Sequence, residues 1–213
     1  MILKLCKYYL FVLSFYYASA QVDDIFIDSL IKNEDVRFFK NLEYGDSKRN
    51  KLDLLIPKSK IKTPLVVFLH GGGYKGGNKE SSYKKNNIIR VRRILRNKIA
   101  FATINYSFLN NNDGLLSSLN DAKLALQFLK YNHLNYNIDR DKVIIWGVSS
   151  GANSVLWLGL SDDMAEVESE NRVLRESTSV KGIIAINGAH SFNSENWKKM
   201  INMPDKIFDI MIK

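Results

Sequence analysis

The sequence predicts an α/β protein with a mostly parallel central sheet and helices on both faces. Apolar runs of strand length alternate with runs of helical period through most of the chain, which is the pattern of parallel strands joined by crossover helices. Residues 65–69 are apolar throughout and residues 100–104 are apolar except for Thr103, as in strands buried on both faces. No linker, repeat or low-complexity tract divides the sequence, so we expect one domain over residues 21–213.

The individual elements follow from local patterns. A turn-rich segment at residues 44–47 separates two strand-like runs, which we expect to pair antiparallel. Helices are predicted where apolar residues recur every three or four positions, as at Leu119, Ala122 and Leu126. The predicted strands are residues 36–42, 51–56, 65–69, 100–104, 143–146 and 182–186. The predicted helices are a basic helix within residues 79–96 and two others at residues 115–133 and 150–160.

The first 20 residues have the pattern of a secretory signal peptide. Lys4 and Lys7 precede an apolar run, and Ala18-Ser19-Ala20 supplies the small residues of a cleavage site after Ala20. The apolar run is about ten residues long, whereas a bilayer-spanning helix needs roughly 20, so a retained membrane anchor is the weaker alternative. We therefore expect a secreted or periplasmic protein without a stable membrane anchor.

Cysteine content and charge exclude several classes of function. The single cysteine, Cys6, lies in the signal segment, so the mature chain has no thiol for a disulfide, a thiolate metal site or cysteine catalysis. The net charge is +9, and much of the excess lies in residues 79–96, around the apolar stripe Ile88, Val91, Leu95 and Ile99. This pattern predicts an amphipathic helix with a solvated basic face. A patch for polyanions is the alternative, but no nucleic-acid motif supports it.

The segment Gly147-Val148-Ser149-Ser150-Gly151 has the spacing of a nucleophile elbow. In such an elbow a serine occupies a strained strand-to-helix turn that points its hydroxyl out of the sheet. The flanking Gly147 and Gly151 are then required, because side chains there clash with the neighbouring strand and helix. The motif lies between a predicted buried strand and an apolar helix, which is the context that this chemistry needs. Ser149 is therefore the candidate nucleophile.

A second motif, His70-Gly71-Gly72-Gly73, directly follows the predicted strand at residues 65–69. Acyl transfer passes through a tetrahedral oxyanion, which backbone N–H groups aimed at the oxygen stabilise. Glycines let the backbone approach closely without a Cβ in the way. We assign the oxyanion hole to the N–H groups of Gly72, Gly73 and Ser150. A phosphate-binding loop is the alternative, but Lys75 and Lys79 do not have the P-loop spacing.

Together these motifs resemble the esterase/lipase branch of the α/β-hydrolases, over about residues 42–188. The chain looks most like the carboxylesterase and feruloyl-esterase-like enzymes that share the triple-glycine loop with hormone-sensitive lipase. The matching segments are residues 51–57, 66–74, 77–79, 105–106, 121–122, 139–143 and the Ser149 elbow. The resemblance implies the α/β-hydrolase fold, with His70 and Gly71 shaping the oxyanion loop. It also implies that Ser149 hydrolyses carboxylic esters through an acyl-enzyme, without cofactor or metal.

The remaining members of a catalytic triad are not evident. The family places an acidic residue and then a histidine after further strands, and the sequence ends at Lys213, before both. His133 is expected at the surface, and His190 is the candidate substitute base because it follows the strand beside the nucleophile strand; a purely structural place in its loop is the alternative. Asp121 and Asp139 match the family pattern but precede Ser149, so we expect both to make structural hydrogen bonds.

Several functional alternatives stay open. We expect the hydrolase domain to be incomplete at its C-terminus, which leaves residues 182–186 as an exposed edge strand through which the chain could oligomerise. The leading function is hydrolysis of a small-molecule or carbohydrate-linked ester, such as an acetyl or feruloyl ester. The alternatives are an inactive fragment or ligand-binding pseudoenzyme, a hydrolase completed by a partner or a second copy, and a prolyl-oligopeptidase-like peptidase. No nucleic-acid partner is expected.

Overall fold

The computed structural model describes residues 27–32, 34–109 and 114–188 of the chain, and no side-chain detail for residues 85–86. Two predicted features lie outside the described residues, namely the signal segment at residues 1–20 and the candidate base His190.

The described residues form strands and helices that alternate along the sequence. The strands are β1 (Val36–Glu43), β2 (Lys51–Pro57), β3 (Thr63–Leu69), β4 (Ala100–Ile104), β5 (Ile138–Val148) and β6 (Gly182–Ile186). The longer helices are α1 (Lys85–Arg96), α2 (Leu116–Tyr131) and α3 (Ser150–Leu160). Residues 27–32 are also helical, and a short 3-10 helix, Lys79–Tyr83, precedes α1. Each predicted strand is present.

The strands form one sheet in the order β1-β2-β4-β3-β5-β6. The early hairpin is confirmed, because β1 pairs antiparallel with β2, and β2 also lies antiparallel to β4. The other neighbours, β4 with β3, β3 with β5 and β5 with β6, are parallel. The carboxyl ends of β3 and β5, where both motifs begin, therefore meet at one edge of the sheet.

Apolar side chains pack against both faces of the sheet. Along β3 they alternate, because Leu65, Val67 and Leu69 join one buried cluster whereas Val66 and Phe68 join the other. The first cluster is completed by α2 and α3, with Leu126 and Val155 among its members. The second is completed by α1, with Val91 and Leu95. The predicted α/β architecture with helices on both faces is therefore confirmed.

Two differences from the sequence prediction are larger than a shift of one or two residues at the end of an element. The basic segment is not one helix, since the 3-10 turn Lys79–Tyr83 and the helix Lys85–Arg96 divide it. Lys79 is wrongly placed on a solvated face, because its side chain is only 1% exposed and pairs with a buried carboxylate. The strand β5 begins at Ile138, five residues before the predicted Val143, because its first residue pairs with Thr63 beyond an irregularity in the register.

The outer strand β6 is open to solvent on much of its surface. It pairs with β5, and Ile184 and Ile186 are 45% and 39% exposed. Within the described ranges, no helix is long and apolar enough to cross a membrane.

Candidate active site

Ser149 occupies the turn between β5 and α3 with an unusual backbone. Its φ of 54° and ψ of −120° lie in a region that costs a non-glycine residue about 1–3 kcal/mol. Two backbone hydrogen bonds hold the turn: Ser149 N–H donates to the Ile186 carbonyl at 2.8 Å, and Asn153 N–H donates to the Ser149 carbonyl at 3.1 Å. Ser149 is itself exposed. The turn therefore presents a serine to solvent at the carboxyl edge of the sheet.

The glycines that flank this turn lie where a side chain does not fit. A Cβ on Gly147 would come within 2.1 Å of the Gly151 carbonyl oxygen. A Cβ on Gly151 would come within 2.2 Å of the Leu69 carbonyl oxygen at the end of β3. Both contacts involve backbone atoms, which cannot rotate away. The strained turn therefore packs closely against β3, the strand that leads into the triple-glycine loop.

The glycine loop, residues 70–77, lies directly against the Ser149 turn. A Cβ on Gly71 would be 2.9 Å from the Val148 carbonyl oxygen and 3.2 Å from Ser149 Cβ. Gly72 has a φ of 131° and Gly73 a φ of 62°, and the Gly72 carbonyl accepts hydrogen bonds of 3.1 Å from the next turn of the loop. The structure thus brings the two sequence motifs together, while the donor role of Gly72, Gly73 and Ser150 stays a prediction.

The first position of α3 is occupied by Ser150, which is buried. At that position a backbone N–H has no acceptor within the helix, and the helix dipole leaves a partial positive charge there. Both properties suit an N–H that stabilises a negatively charged oxygen. The Ser150 hydroxyl lies 3.4 Å from the Tyr106 hydroxyl, which links this helix end to the residues under the loop.

His70 is packed as part of the loop. Its ring stacks on Tyr106 with centroids 4.4 Å apart, and its Nδ1–H donates to the Gly71 carbonyl at 2.7 Å. The His70 carbonyl in turn accepts a 2.7 Å hydrogen bond from the Tyr106 hydroxyl. Burial lowers the pKa of His70 to about 4, so the ring is neutral at pH 7. These contacts fit a role in shaping the loop, as the resemblance implies.

The other described histidine lies far from Ser149. His133 follows α2 and precedes β5, at the amino edge of the sheet, and its Nδ1–H donates to the Lys130 carbonyl at 2.8 Å. Ser149 lies at the opposite end of β5. Neither described histidine therefore provides the Ser149 hydroxyl with a hydrogen-bonded base.

The two aspartates that precede the nucleophile both have structural partners. Asp121 Oδ2 accepts a 2.7 Å hydrogen bond from Ser107 N–H, which ties α2 to the segment after β4. Asp139 lies near the start of β5 and pairs with Lys142 at 3.1 Å. Both contacts are of the structural kind that the sequence predicts.

A buried ion pair beside the loop is not predicted by the sequence analysis. Lys79 Nζ lies 2.9 Å from Asp53 Oδ2, and the two side chains are 1% and 0% exposed. The same ammonium group also contacts the carboxylate of the partly exposed Glu80. Asp53 Oδ2 also accepts a 3.1 Å hydrogen bond from the Tyr83 hydroxyl, and Oδ1 accepts one of 2.8 Å from Asn41 N–H. The sequence feature that could have predicted this pair is the acidic residue in the middle of the apolar strand β2, because a charge buried there needs a partner.

Comparison with known proteins identifies a family whose sequence model matches this chain. A sequence model described as BD-FAE matches residues 52–210, which includes both motifs. In the described part of the chain, no group of three or more side chains that could hold a metal ion is present.

Several curated proteins are similar to the chain. It is 31% identical over 123 residues to Gut esterase 1 of Caenorhabditis elegans, covering 52% of this chain and 20% of that protein. It is 28% identical over 159 residues to a probable isoprenylcysteine alpha-carbonyl methylesterase of Oryza sativa subsp. japonica, covering 74% and 36%. A secreted lipase of Arthroderma benhamiae is 32% identical over 139 residues, covering 58% and 25%. The chain thus spans about a fifth to a third of these relatives.

The fold is also shared with solved structures. A truncated form of a carbohydrate esterase from gut microbiota superimposes with a TM-score of 0.61 at 18% identity, covering 73% of this chain and 58% of that one. At this low identity, the superposition shows a shared fold and nothing finer.

Proposed function

This chain belongs to the BD-FAE family of α/β-hydrolases, and on that premise we propose that it hydrolyses carboxylic acyl esters with Ser149 as nucleophile. One observation carries the proposal: an exposed serine at a φ of 54° has the glycine loop packed against it, with Gly71 next to Ser149 Cβ. A serine that only caps a helix does not need this strain or this contact.

The reaction runs in two steps. Ser149 Oγ attacks the ester carbonyl carbon and loses its proton to a base, and the carbonyl oxygen becomes an oxyanion bound by the N–H groups of Gly72, Gly73 and Ser150. Collapse of this intermediate breaks the bond to the alcohol, which takes up the proton and leaves. Water then attacks the acyl-enzyme in the same way and releases the carboxylic acid.

The base lies outside the described residues in this proposal. His190 follows Gly188 by two residues, a span of about 7 Å at most. Gly188 itself lies against the first turn of α3, since a Cβ there would be 3.0 Å from Ala152 Cβ. We propose His190 as the base because it follows the strand beside the nucleophile strand in the sequence; a group supplied by a second chain is the alternative.

The substrate class is proposed to be acetyl or feruloyl esters of carbohydrates. The family and a structural neighbour described as a carbohydrate esterase support this choice. We also propose that the protein is exported and cleaved after Ala20, leaving a hydrolase domain at residues 21–213; one relative is described as a secreted lipase. Methyl ferulate, acetylated xylan and an aminoacyl p-nitroanilide, presented side by side, separate a feruloyl esterase, an acetyl esterase and a peptidase.

Labelling with a fluorophosphonate probe tests the nucleophile directly. We expect the probe to modify the wild-type protein and not Ser149→Ala. Ser161→Ala is a matched control, because Ser161 follows the other end of α3 and its hydroxyl donates to the Trp157 carbonyl at 2.7 Å. His190→Ala, in parallel, tests the base.

The outcomes separate the alternatives. Labelling lost in both Ser149→Ala and His190→Ala supports the nucleophile and names the base. Labelling lost only in Ser149→Ala means that another group activates the serine. A folded wild-type protein that no probe modifies contradicts the proposal and leaves a fragment or a ligand-binding protein of this fold.

A further inference from the structure

Lys79 connects the far end of the glycine loop to the sheet through three of its own groups. Its backbone N–H donates to Asn105 Oδ1 at 2.7 Å, and its carbonyl accepts a 2.9 Å hydrogen bond from Thr103 Oγ1. Its ammonium group binds Asp53 Oδ2 at 2.9 Å. Two residues after the loop, which comprises residues 70–77, the chain is thus held at Lys79 by three separate contacts.

Asp53 is equally well connected. It lies on β2 opposite Thr103 of β4, and its second oxygen accepts the 2.8 Å hydrogen bond from Asn41 N–H in β1. The Tyr83 hydroxyl donates to the oxygen that binds Lys79, at 3.1 Å. The carboxylate therefore joins β1, β2 and the 3-10 turn to the end of the loop.

The near end of the loop is held independently. Tyr106 binds the His70 carbonyl through its hydroxyl and stacks on the His70 ring. Gly72 and Gly73 lie between this attachment and the Lys79 attachment. The two attachments restrict the paths open to the loop, and the buried Tyr74, whose hydroxyl lies 3.1 Å from Ser154 Oγ, holds its middle. Together these contacts limit where the Gly72 and Gly73 N–H groups lie.

Stability alone does not account for a pair of this kind. Removing two charges from water is costly, and replacing a buried ion pair by neutral side chains of similar volume is often neutral or stabilising. Other residues beside the loop, Tyr106 among them, bind it without a buried charge. A buried pair at this position is therefore better explained by the geometry that it imposes.

We propose that the Asp53–Lys79 pair is a positioning device for the oxyanion loop, which holds the Gly72 and Gly73 N–H groups against the Ser149 turn. This inference rests on the proposed esterase function. Neither residue touches the substrate; both act through the loop, so their loss affects the transition state more than substrate binding.

The test is a double variant, Asp53→Asn with Lys79→Met. Asparagine keeps an acceptor for Asn41 N–H, and its amide can donate to the Tyr83 hydroxyl, while methionine fills the space of the lysine stem and leaves the backbone bonds of residue 79 intact. The matched control is Lys123→Met with Glu166→Gln, which removes a surface pair of 2.8 Å on another part of the fold.

Three quantities are measured on each protein: kcat and KM for p-nitrophenyl acetate, the free energy of unfolding, and amide hydrogen exchange of peptides covering residues 70–78. For the double variant we expect kcat to fall about tenfold or more with KM within about twofold, since loss of one oxyanion donor costs about 100-fold to 1,000-fold. Exchange in the loop is expected to be faster at an unchanged or increased free energy of unfolding. The control is expected to match the wild type.

A folded double variant with wild-type kcat and wild-type loop exchange overturns the proposal, as does a loss of activity that only follows the unfolded fraction. If the wild-type chain hydrolyses no ester and takes up no probe, the esterase proposal fails instead. Loop exchange then decides the positioning role by itself: faster exchange in the double variant retains it, and unchanged exchange rejects it.

Discussion

The carboxyl ends of β3 and β5 are followed by the glycine loop and the strained Ser149 turn, whereas the amino ends of the same strands adjoin segments whose charged side chains pair at the surface. At the carboxyl edge, Ser149 and Gly72 have positive φ angles, and the charges of Lys79 and Asp53 are buried. At the amino edge, Arg140 pairs with Glu176 at 3.5 Å on the surface. A cavity of about 360 Å³ there is lined by charged side chains, among them Arg140 and Glu176.

This difference concerns where backbone strain and buried charge occur together in the molecule. Both edges belong to the same strands and share the same apolar core, and the amino edge also has a positive φ, at Asn137, and a buried lysine, Lys130. What distinguishes the carboxyl edge is an ion pair with both side chains buried, beside the strained Ser149 turn. Strained backbone and buried ions persist where the surrounding structure holds them and where a function uses them. This combination agrees with the proposed site at the carboxyl edge, and the difference between the edges can be tested by matched substitutions.

The largest expected effect comes from breaking one ion pair at each edge. Lys79→Met leaves the Asp53 carboxylate buried without a counter-charge, and we expect a loss of about 3–5 kcal/mol in the free energy of unfolding. Arg140→Met removes a partner of an exposed pair and is expected to cost less than about 1 kcal/mol. Urea unfolding measures both. Equal losses would mean that the two edges do not differ in this respect.

A Cβ added to glycine gives the second contrast. Gly151→Ala places a methyl group 2.2 Å from the Leu69 carbonyl oxygen, and we expect a loss of about 3 kcal/mol or more because overpacking meets backbone here. Gly182→Ala, at the start of β6, meets nothing nearer than a side-chain carbon at 3.7 Å and is expected to change stability by about 0.5 kcal/mol or less. Thermal unfolding of the two variants measures both stability changes. A Gly151→Ala variant as stable as the wild type would contradict the close packing of the elbow on β3.

The third contrast uses pH. Burial lowers the pKa of His70 in the folded protein to about 4, whereas an unfolded histidine has a pKa of about 6.5. Between these values the unfolded chain binds the proton more strongly, so the free energy of unfolding falls as pH falls. From pH 7 to pH 5 we expect His70 to account for about 2 kcal/mol of this loss. The difference between wild type and His70→Asn at each pH isolates it, and parallel stability profiles would refute it.

The smallest expected effect is a gain in the free energy of unfolding when the strain at Ser149 is removed. Ser149→Gly removes the penalty for a φ of 54°, so we expect the free energy of unfolding to rise by about 1 kcal/mol while probe labelling disappears. Ser161→Gly, after the other end of α3, has a φ of −75° at that position and is expected to give no such gain. A Ser149→Gly protein less stable than wild type would show that the turn is not strained.

The parts of the fold that depend on local pattern are predictable from the sequence. The helix at Ser150–Leu160 and the strand at Gly182–Ile186 have the predicted bounds, because apolar periodicity and flanking glycines define them locally. The position of Ser149 between a strand and a helix follows for the same reason.

The parts that depend on distant partners are not predictable in this way. Lys79 has the neighbours of a solvated lysine in the sequence, and only its contact with Asp53, 26 residues away, shows that it is buried. The early start of β5 likewise depends on pairing with Thr63, which no periodicity within β5 encodes. Distances between the Ser149 turn and the glycine loop also require the folded sheet.

The strand order has a consequence for synthesis on the ribosome. In the sheet β2 lies beside β4, so Thr103, the neighbour of Asp53 in β4, is synthesised about 50 residues later than Asp53. At about 5–20 residues per second that interval is on the order of several seconds. During it the nascent chain carries an acidic residue within the apolar run of β2, and a charge in such a run lowers its tendency to aggregate.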